Sequence, residues 1–125
     1  MTSIRHILIV DDCEDDRELY SLILRSKGYR VSEAADGEEG LAEAAKLRPD
    51  LILMDLWLPK TGGWEATKRL REDARTKHIP IIILSAHSFV RATSLGDGYL
   101  IKPCIPDDLL AEINRVLAHD RHIAA

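Results

Sequence analysis

Three short apolar runs constrain this chain more than anything else in it: Ile7-Leu8-Ile9-Val10, Leu51-Ile52-Leu53-Met54 and Ile81-Ile82-Ile83-Leu84. Each is too short for a helix and is rich in branched side chains. Unbroken apolar character, without in-and-out alternation, marks strands covered on both faces, which is the condition of strands in a parallel sheet. A weaker alternating stretch, Tyr29 to Glu33, predicts an edge strand, and Tyr99-Leu100-Ile101 predicts a fifth.

Helical patterns fill the intervals. Between Asp15 and Lys27, the residues Leu19, Leu22 and Ile23 are expected to face inward, with Gly28 as the stop. Asp36 can cap a second helix with Glu39 in the capping-box position, and Leu41, Ala44 and Ala45 then face the core. A third helix is expected from near Trp64, a packing residue, and carries Leu70. Pro106 suits the first position of the last helix, whose buried stripe is Leu109, Leu110, Ile113, Val116 and Leu117. Strands alternating with helices imply right-handed crossovers and an α/β fold. The 125 residues fit one domain, 1–125, with a core of about 4–118 and a frayed tail over 119–125.

One crossover is short. About a dozen residues separate Ser85 from Gly98, near the lower limit for joining parallel strands. Thr93, Ser94, Gly96 and Gly98 in that stretch are poor helix formers, so the fourth helix is expected to be truncated or replaced by a loop.

Composition excludes several classes. A hydrophobic fraction of 46% with 30% charged residues argues for an ordered globular chain. The net charge of −4 and the lack of a basic patch argue against direct nucleic-acid binding. No stretch is long enough to span a membrane, and acids follow immediately after Val10, where a signal peptide would stay apolar. A cytoplasmic protein is expected, with Cys13 and Cys104 as free thiols and no redox role assigned to them.

Open parallel sheets place their sites beyond the carboxyl ends of the strands. The residues that follow the central runs are therefore informative: Asp11 and Asp12, Asp55, Ser85 and Lys102. Three carboxylates brought close repel one another unless a cation intervenes or a proton is taken up. An all-oxygen site with few protein ligands suits Mg²⁺, which keeps waters and engages a phosphate oxygen. Lys102 offsets the charge of an arriving phosphoryl group, Ser85 offers a hydroxyl, and one carboxylate can attack phosphorus to form an acyl phosphate. Taken singly, each residue has a bland reading as a cap, a loop hydroxyl or a surface charge. Their joint placement carries the weight.

With these residues in place, the sequence resembles the receiver domain of response regulators over roughly Ile4 to Leu117. The matching segments are ILIVDD, GYRV, PDLILMDLWLP, IPIIILSA and GYLIKP, in that order. The resemblance implies a flavodoxin-like, doubly wound, five-stranded parallel sheet in the order 2-1-3-4-5. It implies that Asp55 is the phosphoacceptor of a two-component system. Asp12, Asp55 and the backbone carbonyl of Trp57 are implied as direct Mg²⁺ ligands, with Asp11 holding the metal through water. Ser85 and Lys102 are implied as the groups that meet the phosphoryl oxygens, and Lys102–Pro103 as a cis peptide. Ser85 and Tyr99 are implied as the switch pair. The implied partners are a histidine kinase or a histidine phosphotransfer protein, and a downstream protein. The chain is then not a turnover enzyme, although it assists its own phosphorylation and dephosphorylation.

Three features bear on competing readings. The short crossover alters the face that the family uses for signalling and dimerisation, which leaves the oligomeric state open; it favours somewhat a degenerate receiver that binds a partner whatever its phosphorylation, whereas the complete acidic site argues against that reading. A Mg²⁺-dependent phosphohydrolase needs an acid two residues after its nucleophile, where this chain has Trp57. A flavin site is disfavoured because three carboxylates repel the flavin phosphate. Trp57 either shields the acyl phosphate from water or covers apolar surface at the rim.

Overall fold

A computed structural model describes residues 4–86 and 96–124. The elements are β1 (His6–Val10), α1 (Glu14–Ser26), β2 (Arg30–Ala34), α2 (Gly37–Leu47), β3 (Leu51–Asp55), α3 (Gly63–Glu72), β4 (Ile81–Ser85), β5 (Gly98–Ile101) and α4 (Pro106–Ala124). All the strand pairs are parallel, and the sheet order is β2-β1-β3-β4-β5. The three apolar runs are its centre, as expected. The chain moves outward from β1 to β2 and then crosses back to β3, so the order reverses between β1 and β3.

Side chains alternate across a strand, and each central strand therefore feeds two cores. Ile7, Ile9, Leu51, Leu53, Ile82 and Leu84 pack with Tyr20 and Leu24 of α1 and with Leu109, Ile113, Val116 and Leu117 of α4. Leu8, Val10, Ile52, Met54, Ile81 and Ile83 pack on the other face with Ala44 of α2 and with Ala66 and Leu70 of α3. Burial on both faces explains why these strands carry no polar alternation. Trp64 packs against the second cluster, half-buried, as expected. The Asp36 carboxylate caps α2 by accepting the Glu39 N–H at 2.8 Å.

Two expectations need correction. The buried face of α1 is Tyr20, Ser21 and Leu24, with Ile23 half-buried, whereas Leu19 and Leu22 are 49% and 69% exposed. Counting apolar residues alone misplaced the helix phase: Ser21 is buried because its hydroxyl donates to Glu33 at 2.8 Å, and Tyr20 buries a ring. The last helix also continues to Ala124, past the expected tail start at His119, since no glycine or proline interrupts it after Pro106. The expected truncation of the fourth helix falls on residues 87–95, outside the described residues. Among the described residues, no helix is long and apolar enough to cross a membrane.

Candidate functional site

Parallel pairing brings the carboxyl ends of β1, β3, β4 and β5 to one edge of the sheet. Asp11 continues the β1 ladder by one residue, its N–H donating to the Ala34 carbonyl at 3.1 Å. Its carboxylate is fully buried: Oδ1 accepts the Cys13 N–H at 2.9 Å, and Oδ2 lies 2.7 Å from the Lys102 ammonium. Asp12, next in the chain, is exposed. Asp55 ends β3 and is 5% exposed, and its Oδ1 accepts the Trp57 N–H at 3.2 Å. Carboxylate oxygens of Asp11, Asp12 and Asp55 all lie within 4.8 Å of one another.

The opposite rim comes from β4 and β5. Ser85 ends β4 and is buried, and its carbonyl accepts the Lys102 N–H at 2.8 Å. That bond continues the β4–β5 pairing and sends the lysine side chain back across the edge. The ammonium meets Asp11 at 2.7 Å, Asp16 at 2.9 Å and Asp55 at 3.5 Å. The Lys102–Pro103 peptide is cis, as the resemblance implied. Trp57 is 60% exposed at the rim. Tyr99, in β5, packs half-buried against the second core; its hydroxyl accepts the Gly96 N–H at 3.2 Å, and its own N–H donates to Glu112 at 3.1 Å.

The acids and the lysine perturb one another. Burial pushes the Asp55 carboxyl up to about 6 from an ordinary 3.8, with Asp11 adding to the rise and Lys102 opposing it. Burial alone would lower the Lys102 ammonium, but hydrogen bonds to Asp11 and Asp16 outweigh it and hold the group above its ordinary range. Three carboxylates, those of Asp11, Asp16 and Asp55, thus converge on one ammonium, with the Asp12 carboxylate beside Asp11 and Asp55. The excess negative charge and the all-oxygen donor set fit a hard divalent cation.

The sequence reading missed two residues here. Asp16, in the first turn of α1, reaches Lys102. Arg17 donates to the Asp11 carbonyl at 2.7 Å and pairs with Glu33 at 3.2 Å, tying the loop after β1 to β2. The signal for Asp16 lay in the helix phase: it is four residues before Tyr20 and shares its inward face.

Comparison with known proteins agrees with this geometry. The profile described as response regulator receiver domain matches residues 7–114. The chain is 40% identical over 116 residues to the DNA-binding dual master transcriptional regulator RpaA of a Synechocystis strain, covering 89% of this chain and 48% of that protein. It is 37% identical to protein PilH of Pseudomonas aeruginosa, covering 90% of this chain and 97% of PilH. It thus spans about half the length of RpaA and nearly all of PilH. Among solved structures, the Vibrio cholerae chemotaxis response regulator CheY4 aligns with a TM-score of 0.86 at 34% identity, covering 91% of this chain and 99% of that one. The receiver domain of the P. aeruginosa sensor histidine kinase PA1611, solved with a magnesium ion in its active-site cleft, aligns at 0.85 with 33% identity over 93% of this chain and 99% of that one. A shared sheet order and shared sequence over most of the length point the same way, and the chain belongs to the response regulator receiver family, the phosphoaccepting modules of two-component signal transduction.

Proposed function

We propose that Asp55 accepts a phosphoryl group from a histidine kinase or a histidine phosphotransfer protein. The observation that carries this reading is the near-buried Asp55 carboxylate, set against Lys102 within a cluster of three acids. One Asp55 oxygen attacks phosphorus as the bond from phosphorus to the donor imidazole nitrogen breaks. The imidazole leaves, and Asp55 becomes an acyl phosphate. Lys102 shifts to pair with the phosphoryl oxygens, and the Ser85 hydroxyl donates to another. Asp11, Asp12, Asp55 and the Trp57 carbonyl would hold Mg²⁺, which when bound supplies charge neutralisation at the phosphoryl oxygens. Hydrolysis reverses the state by attack of water on phosphorus, with Asp55 as the leaving group.

The phosphorylated state is read by a downstream protein, with Ser85 and Tyr99 as the switch pair. We place the exchange in the cytoplasm on family grounds. No acid stands two residues beyond Asp55, so the site has no group there to protonate the leaving alcohol of a phosphate ester. Incubation with a small phosphodonor tests the reading. Intact mass should rise by one phosphoryl group with Mg²⁺ present and stay unchanged with chelator. Absence of labelling at Asp55 under saturating Mg²⁺ defeats the proposal.

Trp57 follows the nucleophile at the rim and donates its N–H to the Asp55 carboxylate. An indole there restricts the approach of water to the acyl phosphate. Trp57→Asn is expected to speed dephosphorylation by about 3- to 10-fold, equivalent to about 1 kcal/mol off the hydrolysis barrier. A chase of labelled protein after removal of the donor measures it, and equal decay rates would discard the shielding role.

A further inference from the structure

Lys102 has more carboxylate around it than the phosphoryl chemistry requires. Its ammonium has three N–H donors and meets three carboxylates, Asp11 at 2.7 Å, Asp16 at 2.9 Å and Asp55 at 3.5 Å. Asp11 and Asp55 belong to the acid cluster at the sheet edge. Asp16 does not: it sits in the first turn of α1, outside the three acids whose oxygens converge. The two short contacts draw the ammonium toward Asp11 and α1, while the contact to the nucleophile is the longest.

We propose that Asp16 is a positioning residue that holds the Lys102 ammonium toward α1, so that it does not close on Asp55 before the phosphoryl group arrives. This rests on the receiver reading above. An ammonium seated among carboxylates competes with a divalent cation for the same oxygens. If Asp16 loses its charge, one half-buried N–H donor loses its charged acceptor. The nearest replacements are oxygens of Asp55 and Asp11, and the flexible four-carbon stem lets the ammonium reach them. Asp16 also suits a reversible hold. Its side chain is 35% exposed, so water can solvate its carboxylate once the lysine moves to a phosphoryl group, whereas Asp11 is fully buried. A phosphoryl group brings about two negative charges and three acceptor oxygens, enough to draw the lysine away from a half-exposed carboxylate.

The test is the Mg²⁺ affinity of the full chain, followed by tryptophan fluorescence, since Trp57 lies beside the cluster. The proteins compared are the parent, Asp16→Asn, Asp16→Glu and Asp15→Asn. Asp15 is an exposed acid in the same helical turn, so its variant reports the general cost of removing one negative charge near a cation site. Asp16→Asn is expected to weaken Mg²⁺ binding by about 5- to 10-fold, the equivalent of one charge-assisted hydrogen bond redirected. Asp15→Asn should stay within about 2-fold, as an exposed charge does, and Asp16→Glu should restore most of the affinity. At saturating Mg²⁺, Asp16→Asn should take label from a small phosphodonor at no less than the parent rate, because the competition has then been overcome. Equal weakening in the two Asn variants, or parent-like affinity in Asp16→Asn, overturns the role of Asp16 while leaving the receiver reading intact. A parent chain that shows no Mg²⁺ binding overturns the receiver reading itself, and this inference with it.

Discussion

Asp55→Asn is expected to end phosphoryl uptake and, in the same molecule, to make the metal-free protein harder to unfold. The first effect follows because a carboxamide is a poor nucleophile and lacks the negative oxygen that attacks phosphorus. Labelling should fall below detection. The second follows from the environment of Asp55. In the folded chain its carboxyl is raised to about 6 from 3.8, chiefly by burial. Below about 4 the group is protonated whether the chain is folded or not, and it contributes nothing to the pH dependence. Between about 4 and 6 the folded state holds the proton more tightly, so stability falls as pH rises. Above about 6 the full cost of an ionised, buried carboxylate stands. About two units at 1.36 kcal/mol each caps this cost at about 3 kcal/mol. Asparagine keeps the shape and can still accept the Trp57 N–H without carrying the charge. Urea unfolding in the presence of chelator should therefore show Asp55→Asn more stable by about 1–3 kcal/mol at pH 7.5, with the gain shrinking toward zero near pH 4. A gain of the same size at both pH values contradicts the assignment to ionisation.

Gly63→Ala is expected to be strongly damaging for the addition of a single methyl group beside the site. A Cβ there would lie 2.3 Å from the Asp55 carbonyl oxygen and 2.6 Å from the Leu56 Cα. The Gly63 N–H also donates to the Leu56 carbonyl at 3.0 Å, which fixes how closely α3 approaches the end of β3. Both neighbours are backbone, so no rotamer change relieves the overlap, and α3 and the loop after Asp55 must separate. A loss of about 3 kcal/mol or more in urea unfolding is expected, at the upper end for overpacking. The folded fraction should also label more slowly, because the displaced loop carries Trp57. Gly62→Ala is the matched control. No atom lies within 4 Å of its built Cβ, so the cost should stay below about 1 kcal/mol, mostly from a poorer helix cap. Similar losses in the two variants would refute the steric account.

Much of the fold was legible because strands buried on both faces announce themselves. Ile7 to Val10, Leu51 to Met54 and Ile81 to Leu84 carry no polar residue, and the structure makes them the three central strands. The residues just beyond them were legible for the same reason, since the end of a parallel strand is fixed once the strand is. The structure brings Asp11, Asp12 and Asp55 together, with Lys102 across them. Their chemical roles came from the family likeness, because one sequence offers strand ends but no substrate. The phase of α1 was not legible from apolar residues. Leu19 and Leu22 outscore Ser21 on any hydropathy scale, yet Ser21 goes inward because Glu33 on the neighbouring strand accepts its hydroxyl. A hydrogen bond between residues twelve apart leaves no local pattern. The same error hid Asp16, whose approach to Lys102 depends on that phase. The end of α4 was misjudged for a different reason: chain ends fray often, but nothing in residues 119–124 breaks a helix.

Arg17 has a mechanical consequence. By grasping the Asp11 carbonyl and Glu33 together, it clamps the turn after β1 to the neighbouring strand, while the buried Asp11 carboxylate is pinned by Cys13 as well. The β1 side of the pocket is thereby tied to β2 and to the start of α1, and is expected to yield least to a new charge at its centre. Adjustment falls to the flank carried by the fourth and fifth strands, where a lysine on a long tether bridges the gap. A phosphoryl group taken up at Asp55 is thus expected to be accommodated on the β4 and β5 side of the sheet, away from β1 and β2.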